Sequence, residues 1–294
     1  MMTSEQYRDS LDNLQLDVYI RGSKTVNAYD NPAICQSIDA LARTYEMARM
    51  PKHEQVIVAT SHVTGSRINR FNHISQNIDD LIKKAQLNRL FNGNNGHCFH
   101  RTLGMNTLNA LSITTGDIDA AYGTNHHKRF LDYLVYIQDN DLTCDGSLVD
   151  PRGNRWLPPH RQPHVDLLLH VVDETPNGIM LYGVKACGIG ALNSHEMLVI
   201  PTTAMTKRDE AYAIVFSLPI DTEGVTFVVD PESHGTKGAG SSIVNIAAAA
   251  FREHEALCVF DNVIVPWERI FMYREYPFSE QMADLFRFSF CFDA

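Results

Sequence analysis

Apolar residues recur at helical spacing through the first half of the chain and fall into short alternating or continuous runs through the second. Thr3 and Gln6 stand at capping-box spacing, with Tyr7, Leu11 and Leu14 following at helical intervals, which predicts a short amphipathic helix. LDVYIRGSKTV then alternates and turns at Gly22-Ser23, so a small hairpin is expected from Leu16 to Ile20, returning near Val26. Asn31-Pro32 supplies a cap and a first-turn proline for a helix carrying Ile34, Ile38, Leu41 and Tyr45 and ending before Pro51. Ile78, Leu81, Ile82, Ala85 and Leu90 mark another helix, stopped by the FNGNNG turn. Cys98 to Leu111 and Asn125 to Gln138 mark two more.

From Val165 the period changes. VDLLLHVV, GIMLYGVKAC, EMLVIP, YAIVFSL, GVTFVVD and EALCVFDNVIVP are strand-like runs between turn residues, the pattern of a mostly antiparallel β-domain. PESHGTKGAGSSIVNIAAAAF interrupts them as a Gly/Ser loop and an Ala-rich segment expected to cover one end of the sheet. After Pro266, WERIFMYREYPFSEQMADLFRF reads as helical. These changes divide the chain into a helical domain (1–142), a β-domain (143–272) and the start of a further helical region (273–294).

Between the first two regimes lies DLTCDGSLVDPRGNRWLPP, from Asp141 to Pro159. Asp145-Gly146, Asp150-Pro151 and Gly153-Asn154 are turn signals, Arg152 and Arg155 stand among them, and Pro158-Pro159 closes the segment. Such a loop presents backbone N–H groups and two guanidiniums, suited to a flavin ring edge or a pyrophosphate. The same composition also describes a solvated linker.

A chain of 294 residues can bury a sizeable core, and its net charge of −10 argues against a nucleic-acid or anionic-membrane surface. A small molecule or another protein is the expected partner. The start MMTSEQYRDS has no basic segment followed by an apolar run, and no apolar run reaches bilayer length. Six dispersed cysteines without a C-x-x-C pair point to reduced thiols in a cytoplasmic setting.

The candidate motifs are weak taken singly. Gly188-Ile189-Gly190 follows a strand, but Asn193 replaces the third glycine of a dinucleotide fingerprint and a strand follows where a helix is required. In HGTKGAGSS, Lys237 precedes the glycines, contrary to a phosphate-binding P-loop. His97, Cys98 and His100, and the pair His160 and His164, lack partners at zinc-like spacing and read as structural or surface residues. No G-x-S-x-G element occurs.

Taken together, longer stretches carry a resemblance. Tyr122 to Leu142 (YGTNHHKRFLDYLVYIQDNDL), DG-x-x-x-DP-x-G-x-R from Asp145 to Arg155, NSHE from Asn193 to Glu196, and EALCVFDNVIVPWERIF from Glu255 to Phe271 closely resemble the family of 4-hydroxyphenylacetate 3-hydroxylase and 4-hydroxybutyryl-CoA dehydratase. The likeness runs from TSEQY to about Phe286 and is closer to the dehydratase branch. It implies an α+β, acyl-CoA-dehydrogenase-like fold: a helical N-terminal domain, a middle antiparallel β-barrel, and a C-terminal helical bundle that this chain is expected to lack. It also implies FAD, usually in homotetramers. By this resemblance the flavin-contacting residues are Leu148, Val149, Asp150, Pro151, Arg152, Gly153, Asn154 and Arg155, with Cys187, Gly188 and Ile189 as a second stretch. Ile189 stands where relatives carry a threonine beside the flavin N5.

The departures shape the functional expectation. Cys98 matches the first ligand of the dehydratase [4Fe–4S] cluster, Thr102 stands at the second and Phe290 at the histidine, so one ligand of four is present and a cluster is not expected. Glu255 matches an acidic residue near the dehydratase substrate and is the candidate catalytic residue. The phenol-binding arginine, tyrosine and histidine of the hydroxylase fall on Asn94, Cys98 and Gly146. The expectation is an FAD-dependent monooxygenase using flavin supplied as FADH2 by a reductase and acting on a small aromatic or related substrate. A dehydratase or isomerase relative acting on an acyl-CoA, and a non-catalytic truncated paralogue, are the alternatives.

Overall fold

The expected capping box forms: Gln6 N donates to Thr3 Oγ1 at 3.1 Å and Thr3 N to Gln6 Oε1 at 2.9 Å, opening α1 (Ser4–Asp12). The computed structural model describes residues 1–94, 99–188, 190–229 and 256–291. Helix α2 (Pro32–Ala48) begins at its proline and buries Ile34, Ile38, Leu41 and Tyr45, the stripe its spacing predicts. A one-turn α3 (Glu54–Ile57) leads into α4 (Ile78–Asn94), α5 (Phe99–Tyr122) and α6 (His126–Asp139).

Helix α4 differs from its expected orientation. Ile78 and Ile82 are 76% and 51% exposed, and the buried stripe is Lys84, Leu87, Asn88 and Phe91. The polar members are satisfied inside: Lys84 Nζ donates to Ser289 Oγ at 2.9 Å, and Asn88 Oδ1 accepts from Thr102 Oγ1 at 3.2 Å. Helix α5 also runs beyond Leu111 to Tyr122, because Thr114, Thr115 and Ile118 continue its buried face.

The strands form two main sheets. The larger has the order β2-β1-β10-β11-β7-β6, built from β1 (Asp17–Ile20), β2 (Ser23–Lys24), β6 (His170–Thr175), β7 (Gly178–Gly188), β10 (Val225–Val229) and β11 (Ala256–Pro266). The smaller has the order β12-β9-β8-β5, from β5 (Cys144–Ser147), β8 (Glu196–Val199), β9 (Ile214–Pro219) and β12 (Ile270–Tyr273). A separate antiparallel pair joins β3 (Val58–Thr60) to β4 (Arg67–Asn69).

Pairing is mostly antiparallel as expected, with two parallel exceptions. The hairpin strand β1 lies beside β10, Asp17 opposite Thr226, and β5 lies beside β8, Cys144 opposite Glu196. Val165–Leu167, expected to begin a strand, forms a short 3₁₀ turn, and the strand starts at His170. The segment after Pro266 is not helical throughout. Ile270, Phe271 and Met272 are buried in β12, where β9 offers an edge to pair with, and helix α7 (Phe278–Phe290) begins only after Pro277.

Two of three clusters of buried residues join the helices to the sheets, and the third lies among α2, α3, α4 and α5. Val18, Ile179, Met197, Phe216, Phe227 and Phe260 meet between the sheets, and Tyr7, Leu11, Ile34 and Tyr45 of α1 and α2 belong to the same cluster. The second cluster joins Leu103, Phe130 and Leu134 of α5 and α6 to Leu198, Val215 and Phe271 of the smaller sheet and Met282 of α7. Helix α5 lies flush on β5 because both partners are glycines at the contact. A Cβ on Gly104 would lie 2.1 Å from the Cys144 carbonyl oxygen, and one on Gly146 would lie 2.7 Å from Thr107 Oγ1.

Candidate functional site: the junction loop and its cleft

Helix α6 ends with Asp141 in the left-handed region (φ 50°) and Leu142 N bonded back to Ile137 O at 2.9 Å. The junction is then clamped from several directions. Met2 N donates to Asp141 Oδ2 at 2.8 Å, Tyr45 Oη donates to Asp141 O at 3.0 Å, and Thr143 N donates to His195 Nδ1 at 3.0 Å. The far side of that imidazole meets Ser10 Oγ at 2.8 Å. Burial, aided by the nearby charge of Arg101, pushes the His195 pKa down to about 4, so the ring is neutral and Nε2 donates to the serine.

NSHE is therefore a fastening. Asn193 O accepts from Tyr7 Oη at 2.6 Å, Asn193 Oδ1 from Ser37 Oγ at 3.2 Å, and Glu196 pairs with Arg269 at 2.6 Å. YGTNHHK has a similar duty. The Asp119 carboxylate accepts from His126 N at 2.8 Å and His127 N at 3.0 Å, fixing the start of α6.

Beyond β5 the chain leaves the sheet as the loop 148–155. Ala186 N donates to Val149 O at 2.8 Å, which lays the loop against the end of β7 immediately before Cys187 and Gly188. Asp150 is held on both oxygens, Oδ1 by Lys185 Nζ at 2.7 Å and Oδ2 by Thr202 Oγ1 at 2.7 Å. Lys185 is itself buried and also donates to Ile200 O at 2.9 Å and Leu148 O at 3.4 Å. Gln162 closes the turn, accepting from Asn154 N and donating to Asn154 O, both at 3.0 Å. The loop is thus rigidly tied at its base and tip.

Its remaining groups are open. Arg152 and Arg155 are exposed, and neither has an ion-pair or hydrogen-bond partner among the described residues. They stand with Val149, Leu157, Leu168 and Thr203 around a cleft of about 520 Å³. Val149 to Arg155 all line this cleft, and Ala186 brings the end of β7 to its wall. Leu148 turns instead to the helical core. Ile189, Glu255 and Cys98 lie outside the described residues, as do HGTKGAGSS and the Ala-rich segment after it.

Sequence reasoning missed three contributors: Lys185, Thr202 and Gln162. Lys185 carried a signal, since it shares the inward face of β7 with buried Leu181 and Gly183. It also missed Asp145, fully buried one residue before the Gly146 contact. Asp145 Oδ1 accepts from Gly190 N at 3.2 Å, while Oδ2 has no partner, and burial pushes the carboxyl up to about 7. Of the histidines, His160 donates its backbone N–H to Asp209 Oδ1 at 3.0 Å and meets it through Nδ1 at 2.6 Å, and His164 is exposed. Gly190 opens a 3₁₀ turn (Ala191–Asn193) where a dinucleotide fingerprint would need a helix.

Comparison with known proteins places this geometry. The profile of the family described as 4-hydroxyphenylacetate 3-hydroxylase N terminal matches residues 3–272. The 4-hydroxybutyryl-CoA dehydratase/vinylacetyl-CoA-Δ-isomerase of Clostridium aminobutyricum is 42% identical over 97% of this chain and 59% of its own length. The 4-hydroxyphenylacetate 3-monooxygenase oxygenase component of Thermus thermophilus is 27% identical over 92% and 54%. Among solved structures, an oxygen-tolerant archaeal 4-hydroxybutyryl-CoA dehydratase from N. maritimus superposes with a TM-score of 0.91 at 35% identity, covering 98% of this chain and 57% of that one. An oxygenase component of 4-hydroxyphenylacetate 3-monooxygenase complexed with FAD shares the fold (TM-score 0.74, 23% identity, 99% and 58% covered). The fold is the acyl-CoA-dehydrogenase-like α+β fold expected from the motifs. The chain spans little more than half the length of these relatives.

Proposed function

The chain belongs to the 4-hydroxyphenylacetate 3-hydroxylase family, and from that premise we propose that it is the flavin-holding part of an FAD-dependent oxidoreductase. The observation that carries the reading is the cleft beside Ala186, lined by Arg152 and Arg155, which have no partner among the described residues, by Thr203, and by the apolar Val149, Leu157 and Leu168. That donor set fits FAD: the arginines suit a pyrophosphate, and the apolar side suits a ring. Bound flavin supplies two-electron transfer and, when reduced, reaction with oxygen. The chain's own part is to bind and orient it. Lys185 and Thr202 fix Asp150 so that the backbone of 149–155 keeps its shape.

Two of the positions matched to cluster ligands, Thr102 and Phe290, carry side chains that are not cluster ligands. The Thr102 hydroxyl, at the second ligand position, is spent on Asn88 in the α4–α5 contact, and Phe290, at the histidine position, stacks on Phe286 at 6.3 Å. This supports a cluster-free reaction, a monooxygenation of a small aromatic substrate with a separate reductase supplying reduced flavin. A second reading, an acyl-CoA ligand, is favoured by the 42% identity to the dehydratase against 27% to the monooxygenase component.

The test is an FAD titration followed by desalting and a visible spectrum. Saturable binding with retained flavin bands is expected, and a colourless protein after desalting would overturn the proposal. Oxygen uptake with reduced flavin and phenols, set beside perturbation of the flavin spectrum by acyl-CoA thioesters, then separates the two substrate classes. Replacing both Arg152 and Arg155 by Ala should weaken FAD about 10- to 100-fold and leave the melting temperature in place, since both side chains are exposed and have no partner among the described residues.

A further inference from the structure

Strand β5 runs directly into the loop 148–155, and β7 ends at Gly188, just past the Ala186 that lines the cleft. One side chain joins these two stretches at their roots. Asp145 of β5, fully buried, accepts from Gly190 N through Oδ1 at 3.2 Å. Resting on the flavin reading above, we propose that Asp145 is a positioning residue whose proton sets how tightly the end of β7 is held against the flavin.

The segment between β7 and β8 has two fastenings. Its far end is held at Asn193 by the neutral hydroxyls of Tyr7 and Ser37. Its near end is held at Gly190 by Asp145. A carboxylate there makes a charge-assisted bond to the amide, and a protonated carboxyl makes one roughly half as strong. Oδ2 is buried without a partner, so a proton can be taken up on that oxygen without breaking another bond. Burial favours the neutral form, opposed by the N–H groups of Gly190 and Gly146.

The charged and titratable side chains of the elements packed against β5 at this contact are engaged elsewhere. Arg101 of α5 lies between the Tyr45 and Phe71 rings, at 4.3 and 4.5 Å, and donates to Thr44 Oγ1 at 2.8 Å. Lys185 of β7 is paired with Asp150, and Glu196 of β8 with Arg269. His195 is neutral. Cys144, next to Asp145 in the strand, meets Tyr133 Oη at 3.6 Å, and burial pushes its thiol up to about 12. Asp145 is the group at the contact whose charge changes near neutral pH.

FAD seated against a firmly held end of β7 favours the ionised carboxyl, and by linkage ionisation favours FAD. Affinity should therefore rise as pH rises towards about 7 and level off above it.

Fluorescence titration of the whole chain with FAD, from about pH 5.5 to 8.5, tests this beside Asp145→Asn, which keeps an oxygen acceptor for Gly190 N and cannot change charge. The parent should bind about three- to tenfold more tightly at the upper pH than at the lower, and the variant should lose that gain. Calorimetry of the parent alone at about pH 6.5, in two buffers of different ionisation enthalpy, should show release of part of a proton for each FAD bound. The same pH slope in parent and variant, or no proton release, would overturn this inference and leave flavin binding intact. Absence of FAD binding at every pH would overturn the flavin reading and this inference with it.

Discussion

At Lys185 a single ammonium holds three oxygen partners from two segments: Leu148 and Asp150 of the junction loop, and Ile200 after β8. Replacing it with Met keeps the volume of the stem and removes every one of those bonds. Lys185→Met should cost about 2–4 kcal/mol, because a partly buried carboxylate and two carbonyls lose their donor. Unlike the double arginine variant, it should lower both the melting temperature and FAD retention, measured by thermal melts and by fluorescence titration. The arginines were legible because turn chemistry is local and DP-x-G-x-R displays it within a few residues. Lys185 was not, since its partners lie 15 to 37 residues away in the chain and only its place on an inward strand face hinted at them.

Asp145 gives a pH dependence with a definite sign. An aspartate ordinarily titrates near 4, whereas burial moves this one up to about 7 in the fold. Between those values the folded chain carries more protons than the unfolded one, so stability falls as pH rises through about 4 to 7 and levels off above. Asp145→Asn retains an acceptor for Gly190 N and removes the titration. It should therefore melt higher than the parent at pH 8 by an amount reflecting a few kcal/mol, on the order of the pKa difference, and match it near pH 4. His195 works in the opposite direction, losing stability as pH falls from its ordinary range towards about 4. Both proteins carry it, so the comparison cancels its effect.

Among elements, the α5–β5 contact has the least tolerance. Gly104→Ala would drive a methyl into the Cys144 carbonyl, and helix and strand must separate to admit it. A loss of about 1–3 kcal/mol or more and a melting temperature lower by several degrees are expected, read by circular dichroism. Helical periodicity located α1, α2 and α6 because each buries one apolar stripe. It misplaced the face of α4, where Lys84 and Asn88 occupy buried positions that become acceptable only once Asn106, Thr102 and Ser289 are in place to bond them. It also missed β12, whose short IFMY run becomes a strand through the free edge of β9. Both errors come from partners supplied by tertiary structure, which a local pattern cannot register.

For the molecule as a whole, the composition boundary near residue 142 does not coincide with a break in packing. Tyr7, Leu11, Ile34 and Tyr45 share one core with the sheets, and α5 and α6 share a second with β8, β9 and β12. Heat or urea should therefore unfold the described layers in one cooperative transition. Far-ultraviolet circular dichroism and tyrosine fluorescence should trace superimposable curves, and two separated midpoints would contradict it. The parallel pairing of β1 with β10 sets a further condition, on synthesis. Thr226 and Asp17 meet across 209 residues, so the first strand leaves the ribosome long before its neighbour exists. Until Val225–Val229 emerges, one edge of Asp17–Ile20 stays open to other chains, and aggregation during expression should depend on translation speed and on chaperones that guard nascent strands.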